Sequence, residues 1–165
     1  MKRALDILNA LERAGVMSRY AIGGAMGATF CVEPLLTFDL GVFVMLPQTA
    51  GGLLTLAPLY EALRARGYAE EGECVSIEGV PVQFLPAYNA LLEEALREAR
   101  ETAYDQTPTR VLRAEHLIAI CLHTGRDKDR ERVRIFREQA ELDLAYLSAV
   151  LKRYELEAKW KQWTT

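Results

Sequence analysis

A chain of 165 residues, 50% hydrophobic and 26% charged, is long enough to bury a continuous core and too apolar to stay disordered, so it reads as one globular unit. Its formal net charge of -3 supplies no global positive field for wrapping a polyanion, which leaves any nucleic-acid contact to a local patch. The three cysteines, Cys31, Cys74 and Cys121, are odd in number, far apart and without a C-x-x-C pair, which argues against a disulfide framework or a zinc knuckle and for a reducing, cytoplasmic compartment.

The first predicted element is an amphipathic helix over residues 2–14, with Leu5, Leu8 and Leu11 at helical spacing and Gly15 as its stop signal. Asp6, Asn9, Glu12 and Arg13 interrupt its apolar residues, so it lacks the core of a signal peptide, and export is not expected. No stretch approaches the roughly 18 apolar residues of a membrane span, and no membrane partner is expected. Tyr20-Ala21-Ile22 then predicts a short strand entering Gly23-Gly24, followed by a helix over residues 25–30.

Residues 37–46 (TFDLGVFVML) form the strongest strand candidate. A period of two puts Leu40, Val42, Val44 and Leu46 on one face, which must be buried, and Asp39, Gly41, Phe43 and Met45 on the other. A loop over 48–52 leads to a helix over 53–66, and strands over 74–77 and 80–85 flank a tight turn at Glu78-Gly79. From Tyr88 the period changes to 3.6, with Leu91, Leu92, Ala95, Leu96 and Ala99 on one stripe and no further strand expected. Helices are predicted over 114–123, 127–139, 142–153 and 155–163. The reading is therefore an α/β (α+β) fold: a mixed sheet with flanking helices over 1–87, then a helical part over 88–165, within a single unit.

Two features bear on chemistry. A glycine turn leading into a helix lets backbone N–H groups approach an anion and aims the helix dipole at it. Asp39 is an acid in a strand, where acids are disfavoured away from a site or a strand end. The order helix, strand, Gly23-Gly24, helix, then the strand around Asp39, resembles the nucleotidyltransferase superfamily, especially its small bacterial branch near abortive-infection toxins. The likeness continues through residues 79–86 (GVPVQFLP), Ala114-Glu115-His116-Leu117 and Arg126-Asp127-Lys128-Asp129. The resemblance implies that Gly23 and Gly24 seat a nucleoside triphosphate and that Asp39 is the catalytic acid and Mg²⁺ ligand. It also implies that Arg126 and Lys128 face the nucleotide.

The family's pattern has a second acid two residues along the same strand and a third on a later strand; here those positions hold Gly41 and Gln83. Two acids separated by one strand residue stand about 6.6 Å apart along the chain, a spacing that clamps metal ions roughly 3.5–4 Å apart, and one acid cannot form that clamp. One weakly held Mg²⁺, shared with substrate phosphates, is the expectation. Transfer activity is then weak or absent. Two alternatives stay open: a non-catalytic interaction protein, such as one member of a toxin–antitoxin or phage-defence pair, and an active enzyme whose missing acid comes from Glu33 or Glu78. The face Arg126, Arg130, Arg134 and Arg137 is interleaved with acids and reads mainly as a solvated, ion-paired helix. His116 and His123, about 10.5 Å apart along a helix, are not expected to bind metal.

Overall fold

In the computed structural model, described for residues 1–23, 39–48, 52 and 55–165, the chain forms a mixed seven-stranded sheet with helices on both faces. Its described elements are α1 (Lys2–Arg13), β1 (Arg19–Gly23), β2 (Leu40–Met45), α2 (Ala57–Ala65), β3 (Glu70–Glu71), β4 (Cys74–Ile77), β5 (Val80–Pro86) and α3 (Ala90–Arg97). Then come β6 (Arg100–Tyr104), β7 (Thr107–Val111), α4 (Ala114–Thr124), α5 (Asp127–Gln139), α6 (Leu144–Arg153) and α7 (Glu157–Thr164). The strands lie in the order β3-β4-β5-β2-β1-β7-β6. Gly24, Cys31, Glu33 and the helix expected over 25–30 lie outside the described residues.

The alternation along β2 divides the core. Leu40, Val42 and Val44 pack with Tyr20 and Ile22 of β1 under Leu5, Leu8 and Leu11 of α1 and Leu59 and Leu63 of α2. Phe43, on the opposite side, packs with residues of α3, α4, α5 and α6, so β2 is covered on both faces. Burying an aliphatic side chain stabilises by about 1.5–3 kcal/mol, so these two clusters supply most of the driving force for the sandwich. A Glu12–Arg110 ion pair, with both guanidinium nitrogens at 2.9 Å from the carboxylate, ties α1 to β7.

The turn at Glu78-Gly79 joins β4 to β5 as an antiparallel hairpin with both residues at positive φ, 51° and 79°. Glu78 gains a local partner there, since Tyr68 Oη donates to its carboxylate at 2.6 Å. The expectation that no strand follows Tyr88 is corrected by β6 and β7, an antiparallel hairpin that extends the sheet beyond β1. Its turn residues, Asp105 and Gln106, both take positive φ (46° and 67°) without a glycine, and β6 is almost wholly exposed, so neither turn chemistry nor apolar alternation marks it. Pro108 sits inside β7, where the ladder to β1 is limited to Ile22 opposite Val111, so its missing N–H interrupts no bond to that neighbour.

Candidate active site

The register of the central strands brings the family-like positions into one row. Gly23 of β1 lies opposite Gly41 of β2, and Gly41 lies opposite Gln83 of β5. Asp39 is half-buried immediately before β2, two residues from Gly41 on the same side. Asp39, Gly41 and Gln83 form one end of a cleft of about 540 Å³. Phe43, Leu85, Pro86 and Tyr88 continue its floor, Leu117, Ile120, Cys121 and Thr124 of α4 form one wall, and Arg126, Lys128 and Arg132 bring positive charge.

Gly23 is the exception. It adjoins the row without being a lining residue, and a Cβ built on it would clash with two ring carbons of Phe43 and stand 3.1 Å from Leu112 Cδ1. The glycine is explained here by the ring that leans over it. Gly23→Ala is therefore expected to destabilise by about 1–3 kcal/mol, the usual effect of overpacking, and Phe43→Leu should suppress part of that loss. Urea unfolding of the two single variants and the double variant measures this; an unchanged midpoint for Gly23→Ala would rule out the close approach as the reason for the glycine.

Two carboxylates flank Gln83. Its Nε2 donates to Glu73 Oε2 at 3.4 Å, and the thiol of Cys74 is pushed up first by burial and then by the charges of Asp39 and Glu73. Among the described residues no three His, Cys, Asp or Glu side chains are grouped to hold a metal ion. This donor set does not fit a two-metal clamp, and no chemical step is assigned through one. Glu78 does not line the cleft.

The basic side of the cleft is built by the start of α5. Gly125, in the left-handed conformation (φ 74°), ends α4 and lets the chain turn directly into Arg126. Asp129, 1% exposed, accepts from Arg126 Nε at 2.7 Å, Nη2 at 3.1 Å and backbone N at 3.2 Å, and from Arg132 Nη1 at 3.4 Å. The side-chain bonds that Arg126 donates to Asp129 raise the Arg126 pKa, and burial opposes them. Burial, with the Asp129 charge behind it, pushes the neighbouring Cys121 thiol up to about 12, so this cysteine is a neutral apolar wall residue. Lys128 is exposed and makes no ion pair among the described residues.

The other walls are pinned by a buried network. His116 is fully buried, with Nε2 at 3.2 Å from Glu94 Oε1, and Glu94 also accepts from Arg153 and from Tyr154 Oη. Burial alone would raise the Glu94 pKa, but bonds from Tyr154, Arg153 and His116 outweigh it and hold the carboxyl below its ordinary range. Burial lowers that of His116. The network joins α3, α4 and α6 behind the cleft, whereas His123 lines it, with Nε2 3.5 Å from Asn89 Nδ2. Sequence reasoning placed Asp39, Arg126 and Lys128 at this site. It missed Tyr88, which precedes a helix, and Ile120, Cys121, His123 and Arg132, whose helical spacing signals only a buried or solvated face.

No family model matches the sequence, and no curated protein does. Solved structures do match. ANT(2'')-Ia, crystallised in complex with adenylyl-2''-tobramycin, superposes with a TM-score of 0.52 at 16% identity, over 93% of this chain and 94% of that one. The fold is that of the nucleotidyltransferases. The solution structure of the same antibiotic-resistance factor gives a TM-score of 0.52 at 15% identity over 94% and 91% of the two chains. An antigenic nucleotidyltransferase-like protein from Paracoccidioides brasiliensis gives 0.53 at 13% identity over 81% and 71%. Among the described residues no helix is long and apolar enough to cross a membrane.

Proposed function

We propose that this chain is a nucleotidyltransferase-like protein of the small bacterial branch, one cytoplasmic unit that binds a nucleoside triphosphate in the cleft above Asp39, with weak or absent transfer activity. The observation that carries this reading is convergence: Asp39, Gly41, Gln83, Arg126 and Lys128, spread over 90 residues of sequence, line one cleft. Lys128 supplies positive charge, and Asp39 holds Mg²⁺ weakly alongside the phosphates.

Calorimetric titration with ATP, with and without Mg²⁺, tests this. Binding should occur in both conditions with little difference, and Lys128→Ala should weaken it about fivefold, the effect of one exposed charge-assisted contact. An absence of binding in either condition would favour the second reading, a non-catalytic interaction protein such as one half of a toxin–antitoxin or phage-defence pair. That reading is supported by Gly41 and Gln83, which occupy two positions where metal-dependent transfer needs acids.

A further inference from the structure

The cleft is polar at one end and apolar at the other, and one aromatic side chain stands open at the apolar end. Tyr88 is 66% exposed, and of the three large hydrophobic side chains exposed among the described residues it alone lines the cleft. Its backbone is fixed on both sides. The N–H of Ala87 donates to Val44 O at 2.9 Å, and Asn89 caps α3 by accepting from Leu92 N at 2.9 Å while its Nδ2 meets His123 across the cleft. A ring on a backbone fixed at both neighbours, and two-thirds exposed, offers a flat apolar surface to a ligand.

The surroundings select what that surface meets. Leu85, Pro86, Leu91, Leu92 and Ile120 line the same end. The register sets Val44 opposite Pro86, three residues beyond the pair of Gly41 and Gln83, so this end lies about 10 Å along the strands from that row. A phosphate placed among these aliphatic side chains would lose its hydration without a partner, whereas a planar heteroaromatic ring would bury apolar area and stack.

We propose that Tyr88 is the base-stacking wall of the cleft and that the preferred ligand is a purine nucleoside triphosphate, an inference that rests on the nucleotide reading above. A bicyclic base covers more of the ring face than a monocyclic one, so the preference follows from contact area. The test is calorimetry with ATP, GTP, CTP, UTP and inorganic tripolyphosphate on wild type, Tyr88→Ala and Tyr88→Phe. Wild type should bind the two purine nucleotides more tightly than the two pyrimidine ones. Tyr88→Ala should weaken purine nucleotides about tenfold while leaving tripolyphosphate unchanged, and Tyr88→Phe should restore wild-type affinity. Equal purine affinity in wild type and Tyr88→Ala, or an equal loss for tripolyphosphate, overturns the stacking role while nucleotide binding stands. If wild type binds none of the five probes, the nucleotide reading itself fails and this inference falls with it.

Discussion

Asp129→Ala is expected to lower unfolding free energy by about 3 kcal/mol, a large effect for a residue that leaves the hydrophobic core untouched. Its carboxylate is nearly inaccessible and accepts four bonds, one of them from the backbone N–H that opens α5. Losing a helix-start acceptor costs about 1 kcal/mol, and losing bonds to a charged partner about 1.5–3 kcal/mol. The full 3–5 kcal/mol of a broken buried pair is not expected, because the Arg126 side chain is 53% exposed and regains water once its partner is gone. Asp129→Asn, which keeps an acceptor without the charge, should fall between the two. Denaturant midpoints at constant slope measure the series, and a loss for Asp129→Ala below about 1 kcal/mol would show that the carboxylate is not holding the turn.

The same geometry separates two basic residues that the sequence presents alike. Arg126 is bound to Asp129 through its guanidinium, whereas Lys128 lines the cleft and makes no ion pair among the described residues. Arg126→Ala should therefore act mainly on stability, and Lys128→Ala mainly on ligand affinity.

How much of this was legible in the chain depends on whether a feature is local or tertiary. The period-two run around Val42 and the period-3.6 run after Tyr88 both report local geometry, and both appear as elements close to where the patterns place them. β6 and β7 escaped because the Asp105-Gln106 turn achieves positive φ without glycine and because Thr107 and Thr109 are buried polar residues with no apolar alternation to announce them. Among the cleft-lining residues, Asp39 could be found because an acid beside a β-prone run is anomalous by itself, although it stands just before β2 rather than in it. Tyr88 and Ile120 could not, since an aromatic beside a helix start and an isoleucine on a helix are unremarkable until α3 and α4 are laid against β5. Gly23 admits two reasons. Its lack of a side chain suggests room for a phosphate, and the structure supplies a packing reason in the ring of Phe43.

The second large effect concerns Gly41 and Gln83. Gly41→Asp combined with Gln83→Asp is expected to raise Mg²⁺ affinity in the presence of a non-hydrolysable nucleoside triphosphate by about tenfold or more, the effect of two added carboxylate–metal contacts. Gly41 is not among the glycines with positive φ, so an aspartate can take its backbone conformation, and the change removes a flexible residue from a strand interior. The new side chain would stand about 6.6 Å along the strand from Asp39, on the side that lines the cleft, and directly across the ladder from residue 83. Replacing Gln83 also ends its bond to Glu73, so the second substitution adds one acid and takes the amide donor from another. The two changes should consequently be non-additive, with each single variant gaining much less than half of the double variant's improvement. Self-labelling with radioactive nucleoside triphosphate, read beside metal binding, distinguishes a repaired site from one that never depended on these positions. A wild-type labelling rate that the double variant does not improve and that Asp39→Ala leaves intact would place the chemistry elsewhere in the protein.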